Sequence, residues 1–277
     1  MTAGAGSPLA FNSGGPGRIL IAPATADCRR PPTSRFNLAT QADHHPLHLV
    51  HPCDTCASRE YSACAPLNAD EQRRLVSIMQ TVAIEPHKTI FEEAEPANHV
   101  FNVTGGAIKI YKLLSDGRRQ VTGFLFPGDF LGLIHNDSYA YSAEALTPTK
   151  LCRYPRGKLE TLLIEMPKLE RQLLGMASHE LAAAQDQMML LGRKSARERL
   201  VSFLLMLSDA SVRHGNPGNP VPLPMSRTDI ADYLGLTIET VSRTLTQLKR
   251  QGLIELRDEK QVHLVKPEGL RKVATGL

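Results

Sequence analysis

The chain has 277 residues, of which 42% are hydrophobic and 22% charged, a composition typical of globular proteins and not of fibrous or disordered ones. Its apolar runs are far shorter than the roughly 18 residues of a membrane-spanning helix, which excludes that class. The net charge of +4 is concentrated in residues 193–277, which contain 14 Lys or Arg and 9 Asp or Glu. A basic final third favours a nucleic-acid-binding module.

The first 41 residues are rich in Gly, Pro, Ala, Ser and Thr and show no hydrophobic period, so we expect residues 1–41 to be a disordered tail. They lack the basic start and apolar core of a secretory signal, which predicts a cytoplasmic protein. Five cysteines in such a protein indicate metal or redox chemistry and not a disulfide framework. Cys28, in the tail, is too far from the other cysteines to be assigned a role.

Residues 42–66 form a segment dense in His and Cys. Cys53, Cys56 and Cys64 follow the spacing Cys-x2-Cys-x7-Cys and place three soft thiolate donors close together in the chain. Such donors suit either zinc or an iron–sulfur cluster. A zinc site would need one more ligand, for which four nearby histidines are candidates: His44, His45, His48 and His51. The spacing alone leaves both alternatives open.

Residues 67–165 are predicted to form an antiparallel β structure, either a sandwich or a jelly-roll-like β-roll, whose exact topology the pattern does not give. A short helix begins after Asn68 and places Leu75, Ile78 and Met79 on one face. From about residue 82 the pattern changes to short strands separated by Gly and Pro turns. Three strands are read directly from the sequence: 100–103, 108–113 and 121–126.

Residues 166–192 are predicted to form a long helix. Six residues recur at spacings of 3, 4, 3, 4 and 3, as in a heptad seam: Leu174, Ala177, Leu181, Ala184, Met188 and Leu191. The seam is either a homodimer interface or the packed face of an ordinary helix. Because two of its members are Ala, which bury little apolar area, a dimer made through it would be weak and suited to conditional dimerisation.

Residues 193–277 have the pattern of a winged helix-turn-helix. Ser226 and Asp229 form a capping box, Gly235 supplies the turn, and Thr237 caps a second helix that ends near Gln251. The buried face of that helix is expected to consist of Ile238, Val241, Leu245 and Leu248. Two short strands within 253–265 add the hairpin wing.

The second helix also carries a polar face. Glu239, Ser242 and Arg243 lie at i, i+3 and i+4 and therefore point in one outward direction. In a recognition helix, Arg243 would donate to guanine, Glu239 would accept from cytosine, and Ser242 would contact either base edge. The alternative is a solvated face with a Glu–Arg pair.

Residues 229–243 resemble the DNA-binding signature of the cyclic-AMP receptor protein/FNR family, and Glu239-x-x-Ser242-Arg243 resembles the FNR branch. The similarity extends over about residues 45–265. It implies an α+β fold with a β-roll sensor, a long dimerisation helix and a winged helix-turn-helix. It also implies a homodimeric transcription activator that binds double-stranded DNA at TTGAT-type palindromes and has RNA polymerase as a further partner.

The Cys-x2-Cys-x7-Cys spacing resembles FnrN-type members of that family, which hold a [4Fe–4S] cluster on three N-terminal cysteines and one in the roll. The resemblance implies that Cys53, Cys56, Cys64 and Cys152 are the ligands. It further implies an oxygen-responsive regulator of anaerobic or microaerobic genes, in which the cluster promotes dimerisation. Without the resemblance, Cys152 would be interpreted as a small buried hydrophobe.

Other functions are less consistent with the sequence. The stretch that matches the family's cyclic-nucleotide site, 128–143, has no arginine before Ser142, so we expect no cyclic nucleotide. His87 and His99 are interpreted as surface histidines and not as haem ligands. No nucleophile–base motif or phosphate loop indicates an enzyme. The remaining alternative is a zinc- or thiol-redox-dependent regulator of the same fold that binds DNA regardless of oxygen.

Overall fold

The computed structural model describes Cys53, 55–133, 137–258 and 260–276. The predicted tail, Cys28 and the four histidines of the Cys-rich segment lie outside the described residues. In the described part of the chain, no helix is both long and apolar enough to span a membrane.

Helix α1 and the β-roll follow the Cys-rich segment. Helix α1 (Ala69–Ser77) is capped by Asn68, as predicted, and the Asn68 side chain accepts from the backbone N–H of Glu71 in a capping box. Leu75 is buried, and Ile78 and Met79 pack against the same apolar cluster. The helix thereby covers one face of the roll.

The roll consists of two antiparallel sheets, which confirms the predicted fold class. Strands β1, β8, β3 and β6 form one sheet, and β2, β7, β4 and β5 form the other. Apolar side chains that alternate along the strands fill the space between them, including Phe101, Val103, Ile108 and Leu151. The strand bounds are β1 (Gln80–Ile84), β2 (Thr89–Phe91), β3 (His99–Gly105), β4 (Ile108–Leu113), β5 (Arg119–Leu125), β6 (Phe130–Leu131), β7 (Ser142–Ala145) and β8 (Thr149–Pro155).

Two helices leave the roll. Helix α2 (Arg156–Glu165) is followed by α3 (Pro167–Arg193), whose 27 residues make it about 40 Å long. Leu169, Leu173 and Leu190 of α3 are buried within the chain. The long helix therefore packs near both of its ends.

The residues after α3 form the predicted winged helix-turn-helix. It contains α4 (Ala196–Arg213), β9 (Val221–Pro222), α5 (Arg227–Leu234), α6 (Ile238–Arg250), β10 (Ile254–Asp258), β11 (Gln261–Leu264) and α7 (Pro267–Ala274). The capping box of Ser226 and Asp229, the left-handed Gly235 and the Thr237 cap are all present. These confirm the local predictions.

The predicted buried face of α6 is wrong at one residue. Val241, Leu245 and Leu248 are buried, but Ile238 is 43% exposed. Ile238 is the first residue of the helix, and it projects beyond the core that covers the next three turns. Helical spacing predicts which direction a side chain faces but not where the covering elements end.

Candidate functional site

The structure brings the four candidate ligands of the Cys-rich segment and the roll together. Cys152 lies on β8, the strand between β1 and β3 in its sheet. Burial, followed by the nearby thiols of Cys64, Cys53 and Cys56, raises the pKa of Cys152 to about 12. Burial is also the main reason why the pKa of Cys64 rises to about 11. Cys53 and Cys64 are buried and Cys56 and Cys152 are half-buried, so the four thiols share one partly buried region.

Local turns hold the cysteines of the segment. The backbone N–H of Arg59 donates to the Cys56 carbonyl at 3.2 Å, and the backbone N–H of Cys64 donates to Ser62 Oγ at 3.2 Å. The hydroxyl of Ser58 lies 3.4 Å from the Cys56 sulfur. These short-range bonds curl the chain so that Cys53 and Cys64, eleven positions apart in the sequence, can approach the same strand.

The Cys-rich segment packs directly on the first turns of α3. Cys64 belongs to one buried apolar cluster with Leu169 and Leu173 of that helix. Gln172 Nε2 donates to the Ser62 carbonyl at 3.3 Å. A change in the conformation of the segment would therefore alter the packing of the first turns of α3.

The same segment also contacts the end of α4. The rings of Tyr61 and His214 meet edge to face, with centroids 6.4 Å apart. His214 Nε2 lies 3.3 Å from Asp129 Oδ1 in the roll. Hydrogen bonding to Asp129 raises the pKa of His214 despite partial burial. Three parts of the chain thus meet at His214.

The donor set fits an iron–sulfur cluster in its chemistry. Thiolates are the ligands of such clusters, and each iron of a four-iron cluster takes one cysteine. Among the described residues, no three His, Cys, Asp or Glu side chains are placed to hold one metal ion. The fit to a cluster rests on the type and number of donors, because four cysteine thiolates are the full ligand set of a [4Fe–4S] cluster.

On the long helix, five of the six seam residues have exposed side chains in the single chain. Leu174, Leu181 and Met188 are 66%, 61% and 65% exposed. The two alanines, Ala177 and Ala184, are also exposed. This leaves an apolar stripe on α3 that its own chain does not cover.

Leu191 differs from the rest of the predicted seam. It is half-buried and packs against the core of the winged helix-turn-helix. The physical reason is that the last turn of α3, where Leu190 is also buried, packs against the core formed by α4 and α5. The seam prediction for Leu191 is therefore corrected to a contact within the chain.

The predicted DNA-reading residues lie together on the surface of α6. Glu239, Ser242 and Arg243 are all exposed. Hydrogen bonds from its own backbone N–H and from Thr237 at the start of the helix lower the pKa of Glu239. The exposure of these three residues is compatible with base reading and with a solvated face, so their DNA-reading role stays a prediction.

A buried ion-pair network joins the roll to α5. Lys109 Nζ on β4 lies 3.0 Å from Asp229 Oδ1 and 2.9 Å from Glu144 Oε1. Arg119 Nη2 on β5 lies 3.2 Å from Asp229 Oδ1 and 3.0 Å from Asp232 Oδ2. Two cations of the roll therefore pair with two carboxylates of α5, the first helix of the helix-turn-helix, and hold α5 against the roll.

Sequence reasoning missed this network. Lys109 stands between Ile108 and Ile110, and this alternation predicts a side chain that points to solvent. Asp229 was assigned only its capping role. The one available signal was the Lys itself, which lies in the middle of an apolar strand, and it does not identify a partner 120 residues away.

Comparison with known proteins now decides the family. Residues 198–273 match the Crp-like helix-turn-helix domain, and residues 81–165 match the cyclic nucleotide-binding domain. The nitrogen fixation regulation protein FixK of Bradyrhizobium diazoefficiens is 42% identical over 206 residues, which cover 74% of this chain and 87% of that protein. The chain belongs to the Crp/Fnr family.

Further Crp/Fnr proteins support the assignment. The transcriptional activator protein FnrL of Cereibacter sphaeroides is 34% identical and covers 79% of this chain and 90% of its own length. The solved structure of FixK2 from Bradyrhizobium japonicum has a TM-score of 0.67 at 40% identity, with 71% of this chain and 97% of that chain covered. The chain is a DNA-binding regulator of transcription, and regulators of this family work as dimers on DNA.

Aromatic side chains fill part of the interior of the Crp/Fnr roll. The rings of Phe91 and Tyr139 stack with centroids 3.7 Å apart. The backbone N–H of Gly132 donates to the Tyr141 hydroxyl at 3.2 Å. The match to a cyclic nucleotide-binding domain thus describes the fold of the roll, and the absence of cyclic-nucleotide binding stays a prediction.

The two histidines considered for haem differ in exposure. His87 is exposed, as predicted, whereas His99 is half-buried on β3. Burial is also the main reason why the pKa of His99 is lowered. His99 keeps part of its surface exposed, so its interpretation as a surface histidine and not a haem ligand stays a prediction, and the Tyr139 hydroxyl donates to its backbone carbonyl at 2.7 Å.

The exposed face of α6 leads to a prediction about base reading. We expect Arg243→Ala to weaken binding to a TTGAT palindrome by about 1–3 kcal/mol and to relax discrimination at the guanine. The fold should be retained because Arg243 is exposed. Binding to the palindrome and to a guanine-substituted version is measured at several salt concentrations.

The matched control is Arg257→Ala, an exposed arginine of the wing. Its loss should weaken both DNAs alike and reduce the salt slope by about one unit. Equal weakening of both DNAs by Arg243→Ala, with the guanine preference unchanged, would make Arg243 a phosphate contact instead.

Proposed function

We propose that this Crp/Fnr regulator is an oxygen-responsive transcription activator with a [4Fe–4S] cluster on Cys53, Cys56, Cys64 and Cys152. The observation that carries the proposal is the meeting of these four thiols in one partly buried region. When bound, the cluster supplies oxygen sensitivity, because oxygen removes its iron and sulfide. The resemblance to FNR-type regulators supports TTGAT-type palindromes as the DNA and RNA polymerase as the further partner.

The packing of the segment supports a route from the thiols to the dimer. Cys64 packs with Leu169 and Leu173 at the start of α3, and the exposed seam residues follow on the same helix. Fastening the segment to Cys152 on the roll would hold the first turns of α3 in place. Releasing it would remove that constraint from the helix that carries the apolar stripe.

A second copy of the chain is the proposed cover for that stripe. Each buried square ångström of apolar surface contributes about 25 cal/mol, so covering Leu174, Leu181 and Met188 favours association. Ala177 and Ala184 add little, which keeps the dimer weak enough to be controlled. A dimer binds two half-sites and neutralises more phosphate than a monomer, so occupancy of DNA follows dimerisation.

The contact at His214 supports a second route. Tyr61 lies between Cys56 and Cys64 in the chain, and its ring meets His214 at the end of α4. Movement of the Cys-rich segment would therefore also alter the contact between Tyr61 and His214, and with it the packing at the end of α4 within one protomer.

The experiment that tests this function compares the protein before and after exposure to air. Anaerobically purified protein is analysed for iron, sulfide and zinc, and its sedimentation and binding to a TTGAT palindrome are then measured. We expect about four irons and four sulfides per chain, as a four-cysteine cluster requires, with dimers and tight DNA binding only before air. One zinc per chain without sulfide, together with DNA binding that air does not change, would establish the zinc-dependent alternative.

A further inference from the structure

Asn102 on β3 is a buried amide that the packing of the chain does not explain. It is 2% exposed, and its Oδ1 atom has no hydrogen-bond donor among the described residues. Leaving a buried polar atom unpaired destabilises the folded chain, and Asn is depleted in strands. An apolar side chain would suit the cluster-free chain better, which points to a role for the amide other than packing.

The register of the sheet places this amide beside a proposed ligand. Asn102 stands directly opposite Cys152 of β8 and opposite Phe130 of β6. Residues directly opposite in antiparallel strands lie on the same face, with Cβ atoms about 4.5–5.5 Å apart. The amide is therefore a neighbour of the Cys152 thiol.

That face of the sheet is the one on which the Cys-rich segment packs. On the same face, the next pair of opposite residues is Val100 and Tyr154. Both are buried in the apolar cluster that contains Cys64, and Cys152 packs against the same cluster. Asn102 thus lies on the thiol-bearing face and not in the interior of the roll.

The chemistry of an amide suits this position. A thiolate ligand accepts hydrogen bonds and cannot donate them, so it needs an N–H or O–H from its surroundings. A half-turn about χ2 exchanges the Oδ1 and Nδ2 positions of Asn102 without moving the backbone. Hydrogen bonds to the sulfurs are among the factors that set the potential of iron–sulfur clusters.

We propose that Asn102 is a positioning residue of the cysteine site, whose side-chain N–H donates a hydrogen bond to the Cys152 thiolate when the cluster is bound. The inference rests on the proposed function. It assigns a role to a residue that no ligand motif includes, and it explains why a polar side chain is buried between Phe101 and Val103.

The test uses Asn102→Leu, which keeps a similar size and removes the polar atoms. Wild type and variant are loaded anaerobically, and the midpoint potential and the rate at which visible absorbance is lost in air are measured. Loss of a partner that orients a metal ligand typically costs 10–100-fold in affinity, so we expect cluster loss at least about tenfold faster, with a lower potential. The cluster-free variant should unfold at the same or a higher denaturant concentration than the cluster-free wild type.

The matched control is Thr81→Val. Thr81 stands opposite Cys152 on the other neighbouring strand, β1, but it is exposed to solvent. This variant should keep the wild-type potential and rate of cluster loss, because water can replace an exposed hydroxyl.

The outcomes separate the inference from the function on which it rests. If wild type takes up no iron and sulfide, both are wrong. If wild type binds iron and sulfide but Asn102→Leu has the same midpoint potential and loses its absorbance in air at the same rate, the proposed cluster is retained and the proposed role of Asn102 is wrong. If Asn102→Leu destabilises the cluster-free chain, Asn102 is a structural residue and the inference is also wrong.

Discussion

Anaerobically purified Cys152→Ser protein is expected to contain no stable cluster, compared with about four irons and four sulfides per chain in the wild type. Cys152 is the one proposed ligand outside the Cys-rich segment, and it joins that segment to β8 of the roll. Serine has nearly the same shape, so the strand should be retained while the soft donor that iron–sulfur clusters prefer is lost. Iron and sulfide analysis with the visible absorption spectrum measures the effect.

The same substitution at Cys28 is the control. Cys28→Ser should contain the same amount of iron and sulfide as wild type, since Cys28 is far from the other cysteines in the sequence. Cys53→Ser, Cys56→Ser and Cys64→Ser should each behave as Cys152→Ser does. Retention of four irons and four sulfides by Cys152→Ser would show that the fourth ligand has been misassigned.

Lys109→Met is expected to lower the free energy of unfolding by about 3 kcal/mol or more, because it removes one partner from a buried ion-pair network. The side chain of Lys109 is 5% exposed and pairs with Asp229 and Glu144. Methionine fills a similar volume but leaves both carboxylates without that cation. Urea unfolding at neutral pH, monitored by circular dichroism, measures the loss.

Lys112→Met is the matched control on the same strand. Lys112 pairs with Glu93 at 2.8 Å, but its side chain is 52% exposed. An exposed pair is worth about 1 kcal/mol at most, so this change should be small. Equal effects of the two substitutions would mean that the buried network contributes no more than a surface ion pair.

The effect of Lys109→Met should depend on pH. Burial alone would raise the pKa of Asp229, but hydrogen bonds from Ser226 and Lys109 and the charge of Lys109 bring it below its ordinary value. A carboxyl whose pKa is lowered by folding stabilises the folded state above its unfolded pKa, and this stabilisation is lost as the pH falls through its folded pKa. The difference between wild type and Lys109→Met should therefore begin to shrink below about pH 4, where the unfolded chain takes up the Asp229 proton, and should be lost as the pH falls through the lowered pKa of folded Asp229.

The local features of the DNA-binding part could be read from the sequence because their physics is local. The Ser226–Asp229 capping box, the left-handed turn at Gly235 and the Thr237 cap each depend on residues within one helical turn. The strands of the roll followed from alternation and turn residues. The exposed direction of Glu239, Ser242 and Arg243 followed from helical spacing alone.

Predictions that depended on packing were less complete. Spacing could not show that Ile238 projects beyond its core, or that Leu191 turns inward while the rest of the seam stays exposed. Both depend on where a neighbouring element ends. Cys152 was identified through family resemblance, since a single cysteine in a strand carries no signal of its partners.

The sequence by itself determined the order of elements, the recognition helix and the three-cysteine motif, because each is set by residues close together in the chain. Only the tertiary structure decided which distant side chains share a face or a buried site. It placed Cys152 with the Cys-rich segment, Asn102 opposite Cys152, and Lys109 against Asp229. These pairings depend on strand register and on how the roll packs against α5, and long-range packing of this kind leaves no periodic pattern in the sequence.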